Sequence, residues 1–95
     1  MSLARGFAAT DEANALLARA ARHFAHKIPV IADGSKTLLC TRFGDAELEA
    51  LAEGLAIDLR SGDQEQLEQL RRLILSHLER FARRPLGIEW HERPT

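Results

Sequence analysis

The sequence predicts an α+β fold: a two-layer sandwich in which an antiparallel sheet of five or six strands carries two helices on one face. Short segments alternate apolar and polar residues, most clearly LAIDLR at 55–60, and this is typical of strands with one buried face. Two longer segments repeat apolar residues every three or four positions, which is typical of amphipathic helices. Because each helix has a single apolar stripe, both are expected to cover the same side of the sheet.

The first helix is predicted to begin at Thr10 as N-cap, with Asp11 and Glu12 at the positive end of the helix dipole. It is expected to run to about His26, because Pro29 disfavours helical geometry in the residue before it. Its apolar stripe comprises Ala13, Leu16, Leu17, Ala20 and Phe24.

The second helix is predicted to begin at Ser61, with Gln64 completing a capping box, and to end before Pro85. On its wet side, Glu68 with Arg72 and Glu79 with Arg83 have the spacing of favourable i,i+4 ion pairs. Its apolar stripe comprises Leu67, Leu70, Ile74, Leu78 and Phe81.

The sequence predicts five strands, at 28–32, 37–43, 46–51, 55–60 and 86–91, and leaves open a sixth at 3–9; residues 92–95 are expected to form a tail. Leu86, Ile88 and Trp90 share one face of the last strand. The alternation leaves one sheet face in water, with Glu47, Glu49, Asp58 and Glu89 on it.

Length and composition indicate one domain over residues 1–95. Thirteen basic and fourteen acidic residues nearly cancel, which argues against a nucleic-acid binder. The single cysteine, Cys40, allows no internal disulfide and fits a reducing compartment. No apolar run approaches the 18 or so residues of a membrane span, and no secretory signal precedes the first strand, so we expect a cytoplasmic protein with no membrane partner.

Basic side chains concentrate in the segment ARAARHFAHK at 18–27 and return in SHLERF at 76–81. Helical geometry places Arg19, Arg22 and His26 away from the core and His23 at the edge of the apolar stripe. His77 lies on the equivalent flank of the second helix, with Arg80 one turn further on. If the helices lie side by side, His23 and His77 face one groove.

Two interpretations of this groove remain open. Cations in the last turns of a helix complement its dipole, and a flanking histidine is commonly held by one hydrogen bond. Alternatively, the basic side chains attract a carboxylate or phosphate, for which arginine forks are suited.

The sequence predicts no metal site, cofactor or catalytic centre. His23 and His26 lie at i,i+3 spacing, but no third ligand is near, and Arg19, Arg22 and Lys27 would repel a cation. Cys40 lies in an apolar strand without an implied base, and neither histidine is accompanied by a nucleophile.

The segments HFAHK at 23–27, EGLAIDLRSGD at 53–63 and SHLERFA at 76–82 resemble a family of small bacterial domains of unknown function, the 2218 group. The resemblance covers about Thr10 to Trp90. It implies a fold similar to the TATA-binding-protein-like group and an association with siderophore-interacting flavoproteins. It also implies candidate site residues, namely His23, His26, Lys27, His77 and Arg80. The family often has cysteines where this chain has Ala21 and residues near Asp45, so no thiolate role is expected.

We therefore expect a non-enzymatic accessory domain that binds a small anionic ligand, such as an iron–siderophore complex. The ligand-binding residues would be His23, His26, Lys27, His77, Arg80 and Arg22, with Trp90 or Phe81 as an apolar wall. The alternative is an interaction module without a small-molecule ligand, which forms a homodimer or docks to a flavoprotein reductase.

Overall fold

A computed structural model, which describes residues 1–94, confirms the α+β architecture with six strands. In chain order the elements are β1 (Ser2–Ala9), α1 (Ala13–Phe24), β2 (Val30–Asp33), β3 (Lys36–Thr41), β4 (Gly44–Ala50), β5 (Gly54–Ser61), α2 (Gln64–Ala82) and β6 (Ile88–Pro94). The strands form one antiparallel sheet in the order β2-β3-β4-β5-β1-β6.

The two helices are the connections that reorder the strands. Strands β2 to β5 follow one another as hairpins, whereas β1 pairs with β5 on one side and with β6 on the other. Helix α1 therefore carries the chain from β1 to the far edge at β2, and α2 carries it from β5 past β1 to β6. Both helices pack on the same face of the sheet, as predicted.

The core lies between this face and the two helices. Every apolar stripe residue predicted for the helices is buried except Phe81, which is half-buried. The sheet contributes buried side chains at alternate positions, among them Leu39, Leu48, Leu55, Ile57 and Leu59. Burying each such side chain contributes about 1.5–3 kcal/mol, so this layer carries most of the stability of the fold.

The opposite face of the sheet is open. It bears Glu47, Glu49, Asp58 and Glu89 as predicted, and Arg5 Nε donates to Asp58 Oδ1 at 2.7 Å across the β1–β5 ladder. The free thiol of Cys40 is half-buried on this face.

Both predicted N-caps are wrong. Helix α1 starts at Ala13, after Glu12, whose side chain makes no cap hydrogen bond; the Thr10 hydroxyl accepts from Glu12 N at 3.0 Å before the helix starts. Helix α2 is capped by Asp63, which accepts from Gln66 N at 2.8 Å. Ser61 instead ends β5 and donates its hydroxyl to the Phe43 carbonyl.

The C-terminal ends of α1 and β6 also differ from prediction. Helix α1 ends at Phe24, two residues early, because the chain tightens there: His26 N donates to His23 O at 3.4 Å and Lys27 N to Phe24 O at 2.9 Å, three residues back and not four. Strand β6 runs to Pro94, so 92–94 are not a tail, and Thr95 lies outside the described residues. The Glu92 carboxylate anchors this extension, at 2.7 Å from Arg71 and 2.6 Å from Gln64 on α2.

Neither predicted i,i+4 ion pair forms. Glu68 pairs with Arg71 at 3.3 Å, and Glu79 accepts from Leu86 N at 2.8 Å. Arg83 occupies the C-cap of α2 with φ 59°, so it has left the helical path that would set it one turn above Glu79.

Within residues 1–94, neither helix has the length and apolar character needed to cross a membrane.

Candidate functional site

Helices α1 and α2 lie antiparallel, so that the start of α1 meets the end of α2. Arg84 Nη2 lies 3.4 Å from the Glu12 carboxylate, and Arg19 Nη1 donates to the Phe81 carbonyl at 2.9 Å. One turn further along α1, His23 reaches His77 of α2, with ring centroids 5.0 Å apart. The expected pairing of the two imidazoles is therefore present.

The imidazoles belong to a cluster of four rings between the helices. His23 makes edge-on contacts with Phe24 and Phe81, with centroids 5.3 and 5.4 Å away, and His77 lies 4.9 Å from Phe24. Such offset ring contacts stabilise a seam beyond their buried area. The imidazoles are thus half-buried among aromatic rings, and the aromatic side chains hold them in place.

The two imidazoles differ in their hydrogen bonding. His77 Nδ1 lies 2.8 Å from the Leu73 carbonyl, which can only accept, so Nδ1 carries the proton. His23 Nε2 is buried and has no hydrogen-bond partner among residues 1–94. An unpartnered buried polar atom costs about 1–3 kcal/mol. The structure therefore leaves one imidazole with unmet hydrogen-bonding capacity.

The surroundings of His23 disfavour its positive charge. Burial is the largest cause that lowers its pKa, followed by repulsion from His77, Lys27, Arg80 and His26. The charged groups that act on this imidazole are thus all cationic or potentially cationic. In the described part of the chain, the cations near His23 have no carboxylate partner. An anion bound beside them would offset their mutual repulsion and would favour the protonated form of His23.

The predicted site residues divide into two sets. His23, His77, Arg80, Lys27 and His26 come together, since the last three all act on the His23 charge. Within residues 1–94, Arg22 takes no part in this group; it is exposed on the outer surface of α1.

A shallow cavity of about 490 Å³ lies beside the ring cluster, between α1 and the end of α2. It is lined by Glu12, Arg19, Arg80, Phe81, Ala82 and Arg83. The sequence pattern did not predict Arg83 as a site residue, because helical spacing predicted an ion pair between Arg83 and Glu79. Arg19 was recognised as part of the basic segment but not as a neighbour of Arg80, since that depends on how the helices are oriented.

One of the two predicted apolar walls is at the site. Phe81 belongs to the ring cluster and lines the cavity. Trp90 does not: it packs across the sheet on Gly6, and the Arg71 guanidinium lies 4.9 Å from its ring centroid. The sequence pattern predicts which face of β6 carries Trp90. It does not predict which part of α2 covers that face, so it could not show that Trp90 lies by Arg71 and away from the histidines.

Among residues 1–94 there is no group of three or more histidine, cysteine, aspartate or glutamate side chains arranged to hold a metal ion. The cluster is built from cations and aromatic rings, and this chemistry suits an anion.

Comparison with known proteins places the chain in a family. The model of a bacterial family described as "Uncharacterized protein conserved in bacteria (DUF2218)" matches residues 5–91. The chain belongs to this family. The matched region of this DUF2218 domain includes the imidazole pair and all of the cations around it. No curated protein matches the domain.

A solved structure shows the same fold. The NMR structure of PA4090 from Pseudomonas aeruginosa is 24% identical to this DUF2218 domain, covers 96% of each chain and superposes with a TM-score of 0.81. At this identity, the likeness concerns the arrangement of helices and strands.

Proposed function

We propose that this DUF2218 domain is a non-enzymatic binding domain for a small anion, which docks where α1 ends beside α2. The observation that supports it is His23, whose buried Nε2 has no partner and whose charged neighbours are all cations. Structural ion clusters ordinarily compensate their charges, whereas this one leaves them uncompensated. An anion would supply the missing negative charge.

The exposed cations would make the contacts. Lys27 and Arg80 are exposed at the surface beside the rings, so their long side chains can reach a ligand without unfolding the seam. The planar Arg80 fork suits two oxygens of a carboxylate or phosphate. The half-buried imidazoles would act less by contact than by charge, since a nearby anion favours the protonated form of His23.

We propose an iron–siderophore complex as a candidate ligand, and a cytoplasmic setting to match the free Cys40 thiol. Ferric complexes of catecholates and hydroxycarboxylates are commonly anionic, and the half-buried Phe81 ring offers them an apolar surface. The motive for choosing iron complexes is the resemblance to domains associated with siderophore-interacting flavoproteins.

Isothermal titration with orthophosphate and with a ferric tris-catecholate tests this function. Arg80→Gln is expected to weaken binding about tenfold, the loss for one good charge-assisted contact. Because protonated His23 favours an anion, we expect binding to tighten as the pH falls. His23→Phe keeps a ring in the cluster but removes the titratable nitrogen, so it should abolish this tightening.

Arg60→Gln is the matched control, because it removes one positive charge from the opposite, open face of the sheet. If Arg80→Gln weakens binding no more than Arg60→Gln, or if the wild-type domain binds no small anion at all, the proposed function is wrong.

A second candidate function is self-association through the open sheet face. Leu3, Phe7 and Leu38 are half-buried there without a covering layer, and a cavity of about 570 Å³ opens between Leu3, Arg5 and Glu47. Acidic side chains follow β4, at Asp45, Glu47 and Glu49, whereas Arg60 and Arg5 lie on β5 and β1. A second copy can therefore oppose unlike charges. Light scattering tests it: a monomer that persists at the highest soluble concentration contradicts the dimer, and leaves docking to a flavoprotein as the interaction role.

A further inference from the structure

The cavity at the end of α2 carries three arginines within about two helical turns of the imidazole pair. Arg80 and Arg83 come from the last turn and C-cap of α2, and Arg19 comes from the facing surface of α1. Arg80 belongs to both places, because it lines the cavity and also acts on His23. The surface formed by Lys27 and Arg80 beside His23 is therefore continuous with the surface formed by Arg19, Arg80 and Arg83 in the cavity.

Arg83 has an unusual backbone. Its φ of 59° is the only positive value at a residue other than glycine among residues 1–94. Helices commonly end on a residue in this left-handed conformation, but glycine is preferred because a side chain strains it. Arginine at this C-cap is therefore less stable than glycine would be, and it places a guanidinium group at the cavity.

The cavity cations have spare donors. Among residues 1–94, neither the Arg80 nor the Arg83 guanidinium takes part in an ion pair or a side-chain hydrogen bond. Arg19 uses one of its five N–H groups on the Phe81 carbonyl. Glu12, the carboxylate among the lining residues, is already compensated by Arg84 at 3.4 Å.

We propose that the ligand is a multivalent anion that spans both surfaces. One anionic group would lie by Lys27 and Arg80, and a second would enter the cavity between Arg19 and Arg83. From His77, beside the first group, to Ala82, the last helical residue and part of the cavity lining, five residues at the helical rise span about 7.5 Å, so the two charged groups must be separated by several bonds. This inference rests on the proposed function and narrows its ligand class to anions that carry two or more separated charged groups, such as oligocarboxylates and oligophosphates.

The test compares orthophosphate with tripolyphosphate, which has the same chemistry and a longer reach, at constant ionic strength. Arg83→Gly is expected to weaken tripolyphosphate binding about tenfold and orthophosphate binding by less than about twofold. Because glycine relieves the left-handed strain, the same variant should melt higher, by roughly 4 °C. Arg83→Lys, which keeps the charge, should retain most of the affinity for tripolyphosphate.

The outcomes separate this inference from the proposed function. Absence of any binding to the wild-type domain contradicts both. Orthophosphate binding with no preference for tripolyphosphate, or equal losses for the two anions in Arg83→Gly, leaves the proposed function standing and overturns the multivalent ligand. If only tripolyphosphate binds measurably, a loss in Arg83→Gly that exceeds the loss in Arg60→Gln supports the inference, and equal losses overturn it.

Discussion

His23 combines a half-buried imidazole, an unpartnered Nε2 and neighbours of one charge sign. Helical spacing predicted its position at the edge of the apolar stripe and the matching position of His77. It did not predict the unpartnered nitrogen, because hydrogen bonding of a ring depends on the side chains of another element. His23 thus has surroundings that would favour a nearby anion, although in sequence His23 and His77 each resemble an ordinary helix flank.

The lowered pKa of His23 predicts a specific loss of stability in acid. The unfolded chain, whose histidines titrate near about 6.5, binds the proton more readily than the folded one. The contribution of His23 to stability is therefore fully present above about pH 6.5 and falls as the pH drops through that value toward the lower folded pKa. His23→Phe should lose less stability than the wild type between pH 7.5 and 5.5.

Urea denaturation at the two pH values measures this difference, since all other titrating groups are common to both proteins. An identical drop in the unfolding midpoint for wild type and variant would show that His23 is not held neutral by its surroundings.

Gly6 lies directly opposite Trp90 in the β1–β6 ladder, under the indole ring. A Cβ at Gly6 would lie 2.7 Å from Trp90 Cζ3 and 2.9 Å from Ile88 Cγ2, so Gly6→Ala forces both side chains to shift. We expect a loss of about 1–3 kcal/mol in the free energy of unfolding, measured by urea denaturation.

Gly87→Ala is the control for this substitution, because a Cβ there meets no atom within 4 Å. Its effect should stay within about 0.5 kcal/mol. Comparable losses at Gly6 and Gly87 would mean that Trp90 does not pack against β1 as described.

At the scale of elements, both helices and five strands were predicted and β1 was left open as a sixth strand, while the ends of the elements were not predicted. In the segment SGDQ both Ser61 and Asp63 are competent N-caps. The choice between them is made by tertiary structure: Ser61 pairs with Ser2 in the β1–β5 ladder and donates to Phe43, so the strand continues through it. Local patterns cannot resolve such a competition, because the deciding partners are far away in sequence.

Asp63→Ala tests this assignment of the cap. Loss of its hydrogen bond to Gln66 N should cost about 1 kcal/mol of stability, read from thermal or urea unfolding. Asp11→Ala, near the start of α1 but outside any cap hydrogen bond, should cost less than about 0.5 kcal/mol. The assignment is contradicted if the two substitutions have the same effect.

At the scale of the whole molecule, alternation predicted which strand faces are buried but not the strand order. The first strand lies between the last two, β5 and β6, and so is an interior strand of the sheet. The antiparallel helix pair is likewise a consequence of topology. It decides that His23 meets His77 and that Arg19 meets Arg80 and Arg83, so the site emerges only when the two halves of the chain are assembled.

Charge is unevenly distributed over the molecule. Carboxylates follow β4 on the open sheet face, as at Glu47 and Glu49, whereas no acidic residue occurs between positions 13 and 32, which include α1. The net charge of −1 does not reveal this uneven distribution of charge. The near-neutral composition therefore argues against a long polyanion as partner, but not against a compact anion bound at one edge of the helical layer.

The most direct measurement is an NMR pH titration of the histidine ring protons in sulfate and in chloride at equal ionic strength, since sulfate stays fully ionised throughout. If an anion occupies the site, sulfate will raise the titration midpoint of His23. The ring signals of His91, on the open sheet face, will be the same in sulfate as in chloride. An unchanged His23 midpoint, or an equal response at His91, would contradict anion binding between the helices.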